Sequence, residues 1–242
     1  MGAGDRAVRL AGQPEPVRVA AEVLFGSRLP VAERYADRLT GDGVVRGLLG
    51  PREAPRVWQR HLLNCAAVAE LIPDGATVTD VGSGAGLPGI PLALARPDLR
   101  VTLIEPMQRR TDFLTETVEE LGIGERVTVW RGRAEEAVGV VPGAEVVTAR
   151  ALAPLDRLAA WCLPLAVIGG RVLAIKGESA AREIEDHTST VVSLGGGEPV
   201  LRRCGTGLLE SPSLVVEIVR VRRAARGGVR RMRDRRDRRG RR

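Results

Sequence analysis

Ten residues, Asp80-Val81-Gly82-Ser83-Gly84-Ala85-Gly86-Leu87-Pro88-Gly89, carry the densest chemical signal in the chain. Glycines allow turns with positive φ and let a ligand lie against bare backbone, and four of them in eight positions would be costly to order for a turn with no ligand. Some twenty residues later comes Glu105, a carboxylate placed to accept hydrogen bonds from ribose hydroxyls. Loop and acid together describe a site for an adenosine-containing cofactor. Gly84 to Gly89 also fits the dinucleotide fingerprint, which alone is a weak signal. Asp80, two residues before Gly82, makes the longer form D-x-G-x-G-x-G that methyltransferases using S-adenosylmethionine commonly carry. There a carboxylate suits the cationic amino-acid end of the cofactor.

Such a loop must leave a strand and enter a helix, and the surrounding pattern supplies both. Short β-branched runs predict strands at 76–81, 101–105, 127–130, 144–149 and 171–176, with helices near 89–96, 107–121, 154–165 and 178–186 between them. Two last strands are expected at 189–194 and 213–221, with no helix between them. The alternation implies an α/β fold with a mainly parallel sheet, helices on both faces and an antiparallel hairpin at one edge. Before it, residues 1–19 read as a flexible leader and 20–75 as a helical cap, with helices about 28–40 and 53–72. In the second of these Val57, His61, Leu62, Cys65, Val68, Ala69 and Ile72 make one apolar face. His61 on that face reads as a packed or capping residue rather than a catalytic one. Pro88 is expected in the first turn of the helix that the glycine loop enters. The methyltransferase domain is set at 76–221 and an Arg-rich tail at 222–242.

Five segments occur in an order that resembles one family: Trp58-Gln59-Arg60-His61-Leu62-Leu63-Asn64; Val81 to Pro91, with the loop continuing as L-P-G-I-P; Arg131-Gly132-Arg133-Ala134-Glu135-Glu136; Ala149-Arg150-Ala151-Leu152-Ala153-Pro154-Leu155; and Leu173-Ala174-Ile175-Lys176-Gly177. Over about residues 20–220 the chain resembles the RsmG family, also called GidB (glucose-inhibited division protein B), bacterial 16S rRNA guanine-N7 methyltransferases. The resemblance implies a class I S-adenosylmethionine-dependent fold, Rossmann-like, with a mostly parallel seven-stranded sheet and an antiparallel edge strand. It implies S-adenosylmethionine as methyl donor and one guanine (nucleotide 527) of the 530 loop of 16S rRNA, within the 30S subunit, as target. By the same resemblance Gly82, Gly84, Leu87, Glu105, Ala134, Glu135 and Arg150 line the cofactor. Arg150, Arg133 and Lys176 are assigned to activity, and no metal is implied. The family often has Asp where Glu105 stands, and the basic tail is not part of its pattern.

Guanine N7 carries a lone pair and no proton, so its methylation needs alignment more than a strong base. Residues 148–153 read TARALA, unlike the N-P-P-Y sequences that hold an amino group. Arg150 ends a buried strand where open α/β sheets bind ligands, and its guanidinium fork suits guanine O6 or phosphate. Lys176 is the only lysine among 37 basic residues and ends the fifth strand. Arg133 stands out only through the resemblance.

The formal net charge of +7 first suggests a polyanionic partner. The last 23 residues, Arg220 to Arg242, hold 13 Arg and 2 Asp, so the excess lies in the tail and the body is mildly acidic. The tail is expected to be a disordered, solvated extension that adds salt-sensitive, non-specific RNA affinity. Three scattered cysteines form no disulfide framework and no close-spaced metal site, which suits a reducing cytosol. With no spanning or secretory segment, the protein is expected to be cytoplasmic, off the membrane and monomeric. Methylation of a protein or small molecule, or a non-enzymatic RNA-binding protein with a nucleotide pocket, are the alternatives; a dehydrogenase is more distant.

Overall fold

The computed structural model describes residues 9–150 and 153–224. The expected tail, from Ala225 onward, and Met1 to Val8 of the leader lie outside the described residues.

Seven strands, β1 (Thr77–Val81), β2 (Arg100–Glu105), β3 (Val127–Arg131), β4 (Ala144–Arg150), β5 (Ala166–Lys176), β6 (Val200–Cys204) and β7 (Ser213–Val219), form one sheet in the order β3-β2-β1-β4-β5-β7-β6. β1 to β5 pair in parallel, and β7 runs antiparallel to both its neighbours. The eight residues between β6 and β7 are too few for a crossover, so the closing pair is a hairpin, with β6 outermost. Strand order reverses between β1 and β4, which opens a crevice at the carboxyl ends of those strands.

Two apolar clusters cover the two faces. On one, α3 (Gly89–Ala95) and α4 (Gln108–Glu120) bury Ile90, Leu92, Phe113 and Leu114. On the other, the four-residue α5 (Ala134–Ala137), α6 (Leu155–Cys162) and α7 (Ala180–Ser193) bury Ala137, Leu158, Ala159 and Val191. The segment before β1 has no separate core. Its α1 (Glu15–Phe25) and α2 (Leu29–Thr40) put Phe25, Tyr35 and Leu39 into the same cluster as α3 and α4. Arg38 of α2 also pairs with Glu116 (2.6 Å) and Glu120 (2.9 Å) of α4.

Three expectations change here. The leader does not extend to residue 19, because Leu10 and Val17 are buried and α1 starts at Glu15. Val17, Ala20, Ala21 and Phe25 recur at helical spacing and offset the ordering cost. The expected strand 189–194 is instead the end of α7. Val191 and Leu194 pack with Ile184 on the helix-covered face, and that burial overrides the β-branched preference of Thr190-Val191-Val192. Gly195, at φ 96°, then ends the helix, and Gly196 N–H bonds to the Val191 carbonyl at 3.1 Å. The outer strand is Val200–Cys204. Its Arg202 and Arg203 are exposed as suits an edge, which hides it from a search for apolar runs. The expected helix 53–72 is a succession of tighter and wider turns: 3-10 at Ala54–Arg56, π-helical at Val57–Leu63, a short α turn at Asn64–Ala66 and 3-10 at Ala67–Leu71. Its predicted face still turns inward, with Val57, His61, Leu62, Cys65, Val68 and Ile72 buried. Wide turns of this kind are rare and concentrate at functional sites.

Candidate active site

The glycine loop leaves β1 at the crevice. Gly82, Gly84 and Gly86 have φ of 71°, 59° and 101°, a region that side chains with a Cβ rarely adopt. A Cβ on Gly84 would meet only the Gly82 carbonyl, at 3.9 Å, so this side of the loop is bare and open. Gly86 is different: a Cβ there would strike Ile90 and come within 3.0 Å of the Tyr35 hydroxyl. That hydroxyl donates to the Ala85 carbonyl at 2.8 Å, so α2 of the cap holds the loop from behind. Burial raises the Tyr35 phenol well above its ordinary range, and it stays a donor.

Asp80 lies beneath the loop. It has no solvent exposure, accepts from Gly89 N–H (3.1 Å) and from the Thr148 hydroxyl (3.2 Å), and thereby ties the start of α3 to β4. Burial raises its carboxyl to about 6, against hydrogen bonds that favour the charge and with the nearby Glu105 adding to the rise. Both carboxylate oxygens are engaged in these bonds, so it braces the loop from beneath. Pro88 likewise stands just before α3, at its N-cap, rather than inside the first turn.

Glu105, at the end of β2, accepts from Gly84 N–H at 3.0 Å and Met107 N–H at 3.0 Å, and Arg110 approaches to 3.5 Å. Only 1% of this residue is exposed. A carboxylate has about four acceptor positions, so two backbone bonds leave capacity for further donors. Ala134, buried, and Glu135, exposed, begin α5 after β3. Leu87 is half-buried beside the loop. A bare glycine loop with a carboxylate at the next strand end and a small residue after the third fits the nucleoside of S-adenosylmethionine.

The three cations assigned to activity are in three situations. Arg133 is exposed before α5, where Glu136 accepts its backbone N–H at 2.8 Å, and its side chain is in no ion pair among the described residues. Lys176 is 7% exposed in its side chain; Nζ donates to the Ala153 carbonyl (2.6 Å) and to Glu183 (2.7 Å). Burial works to raise the Glu183 carboxyl, but bonds from Lys176, Ser179 and Leu155 N–H outweigh it and lower it. Arg150, half-buried at the end of β4, donates through Nη1 to Cys65 Sγ (3.3 Å) and through Nη2 to the Arg60 carbonyl (3.0 Å) and His61 Nδ1 (2.8 Å).

His61 is thus part of the site and not merely packed. Its other nitrogen, Nε2, lies 3.1 Å from Glu53. Burial first, then the Arg150 charge, lowers His61 to about 4 in spite of Glu53, and Arg60 acts in the same direction as Arg150. Tyr35, Glu53, Arg110 and Glu183 escaped the sequence reading, because each reaches the site from another element and shares no motif with it. Among the described residues no helix is long and apolar enough to cross a membrane.

A doubly wound sheet with a reversed seventh strand, a glycine loop after β1 and a carboxylate ending β2 define a class I methyltransferase. A predicted O-methyltransferase from Agrobacterium tumefaciens has the same fold, with a TM-score of 0.51 at 20% identity over 66% of this chain and 82% of that one. The particular family follows from sequence: the GidB family, rRNA small subunit methyltransferase G, matches residues 28–209, and the chain belongs to it. It is 58% identical over 236 residues to the ribosomal RNA small subunit methyltransferase G of Salinispora tropica, covering 91% of this chain and 98% of that one. The protein of the same name from Streptomyces coelicolor is 53% identical over 208 residues, covering 86% and 87%.

Proposed function

We propose that this protein, acting in the cytoplasm, transfers a methyl group from S-adenosylmethionine to N7 of one guanine, nucleotide 527 in the 530 loop of 16S rRNA. The relatives' names support small-subunit rRNA as the substrate class. Bound along Gly82 and Gly84, the cofactor supplies an electrophilic methyl group, which a lone pair can take without loss of a proton. Glu105 receives the ribose hydroxyls, while Ala134 and Glu135 border the adenine. Arg133, exposed and in no ion pair among the described residues, contacts RNA phosphate. Lys176 holds the turn after β4 through Ala153 and so keeps the end of that strand in place.

The observation that carries the choice of N7 is the state of His61. Both its ring nitrogens are committed, Nδ1 to Arg150 and Nε2 to Glu53. Thr148 is bonded to Asp80, which is itself sealed from solvent. Among the described residues around the end of β4, neither His61 nor Asp80 stands free as a base, and a nucleophile with no proton to lose suits that arrangement. The test is to incubate the protein with radiolabelled S-adenosylmethionine and undermethylated 30S subunits and to map the label. Label at N7 of that guanine is the expected result; cofactor binding without transfer to 16S rRNA would refute the reading.

A further inference from the structure

Most of the hydrogen-bonding capacity of Arg150 is directed at the cap rather than at the crevice. A guanidinium has five N–H groups in a planar fork, with two edges that offer paired donors, Nε with Nη2 and Nη1 with Nη2. Nη2 belongs to both edges, and here it donates to the Arg60 carbonyl and to His61 Nδ1. Nη1 spends one N–H on Cys65. What remains is two separated single donors, one on Nε and one on Nη1. Arginine can only donate, so His61 Nδ1 is the acceptor and its proton resides on Nε2, facing Glu53.

The arrangement has a chemical consequence. An arginine gripping guanine through O6 and N7 together would occupy the very lone pair that must accept the methyl group. An arginine whose shared nitrogen is already taken cannot do so. We infer that His61, itself oriented by Glu53, is a positioning residue for Arg150: it takes the guanidinium nitrogen common to both forks, so that Arg150 latches the cap onto the end of β4 and meets the substrate through single donors only. This rests on the methyl-transfer reading above and adds a role for the π-helical turn.

The test measures methyl transfer to undermethylated 30S subunits for the wild type, His61→Asn, His61→Gln, Arg150→Ala and the combination His61→Gln/Arg150→Ala. Alongside it, the ring nitrogens of His61 are observed by NMR in the wild-type protein. Asparagine places an amide oxygen where Nδ1 stands, whereas glutamine reaches toward Glu53 and leaves Arg150 without its acceptor. In His61→Gln, kcat is expected to fall about tenfold, the loss that a small misplacement of a site group brings, with KM for the cofactor unchanged. His61→Asn is expected to restore most of it, and the combination to be no slower than Arg150→Ala alone. Equal losses in the two His61 variants, or a further loss in the combination, would overturn the latch. The NMR result decides it even where a variant does not fold: a proton on Nε2 at neutral pH supports it, and a proton on Nδ1 or a charged ring overturns it. A wild type that transfers no methyl, with the Nε2 proton in place, counts against the methyl-transfer reading and leaves the latch standing.

Discussion

Arg150 and Lys176 end neighbouring parallel strands, one residue past each other in register, yet they serve different parts of the molecule. Lys176 is buried in a closed pair with Glu183 and the Ala153 carbonyl. Arg150 is half-exposed and bridges to a segment some ninety residues away in sequence. The difference teaches that a cation at the carboxyl end of a strand is not a reactive group by position alone. What decides is whether the group stays open to the crevice with donors to spare, as Arg150 does and the enclosed Lys176 does not.

The largest effect should come from Arg150→Ala. Methyl transfer to 30S subunits is expected to fall by roughly 100-fold, while the melting temperature shifts by a few degrees at most. A variant that keeps full activity would remove Arg150 from the mechanism and erase the contrast.

Lys176→Met should do the reverse and act on stability. It leaves Glu183 without its cation in a mostly dry position, at a cost of about 2 kcal/mol, less than for a fully buried pair because Glu183 is partly open to solvent. Denaturant unfolding measures this, and adding Glu183→Leu should recover much of it. If the double variant is as stable as the wild type but inactive, Lys176 does chemistry and the distinction fails.

The pH dependence tests the Arg150 side. His61 is held neutral, at about 4 against an ordinary 6.5. The stability it contributes is complete above 6.5 and is lost as pH falls from there to about 4, while the unfolded ring takes a proton and the folded one does not. Asp80, raised to about 6 from 3.8, works oppositely: its folded acid form is favoured, so the protein gains as pH falls between those values. These two contributions should therefore nearly cancel from pH 6 to 4. In His61→Asn only the Asp80 member of this pair remains, and stability relative to wild type should rise over that interval by about 2 kcal/mol, after allowance for solvent around the ring. Parallel curves for the two proteins would mean that His61 is not held neutral by its burial and the Arg150 charge.

The smallest effect concerns neither strand end. Deleting residues 226–242 should flatten the salt dependence of RNA binding and leave the transfer rate at low salt nearly unchanged. An unchanged slope would show that the body's own cations, Arg133 among them, supply all of the electrostatic attraction.

Much of the framework was legible beforehand because periodicity is local. The β1 to β5 runs and α3, α4 and α6 came out within a few residues, apart from an earlier start to β5, since buried β-branched runs and amphipathic spacing are written in consecutive residues. The glycine loop and Glu105 were legible because their spacing reflects one strand–loop–helix–strand unit. Where the signal failed, burial by distant elements had the last word: Val191 and Leu194 look like part of a strand until α7 packs, and Val200–Cys204 looks like a loop until Glu217 pairs with Arg202.

By itself, then, the sequence determined the fold class, the cofactor loop and the family resemblance, all of which depend on residues near one another in the chain. Only the tertiary structure decided what each charged group does. Asp80 became a sealed brace, Lys176 a strut, and His61 the partner of Arg150, because hydrogen-bond partners and burial are set by residues up to ninety positions apart, and no local pattern records which donors meet which acceptors.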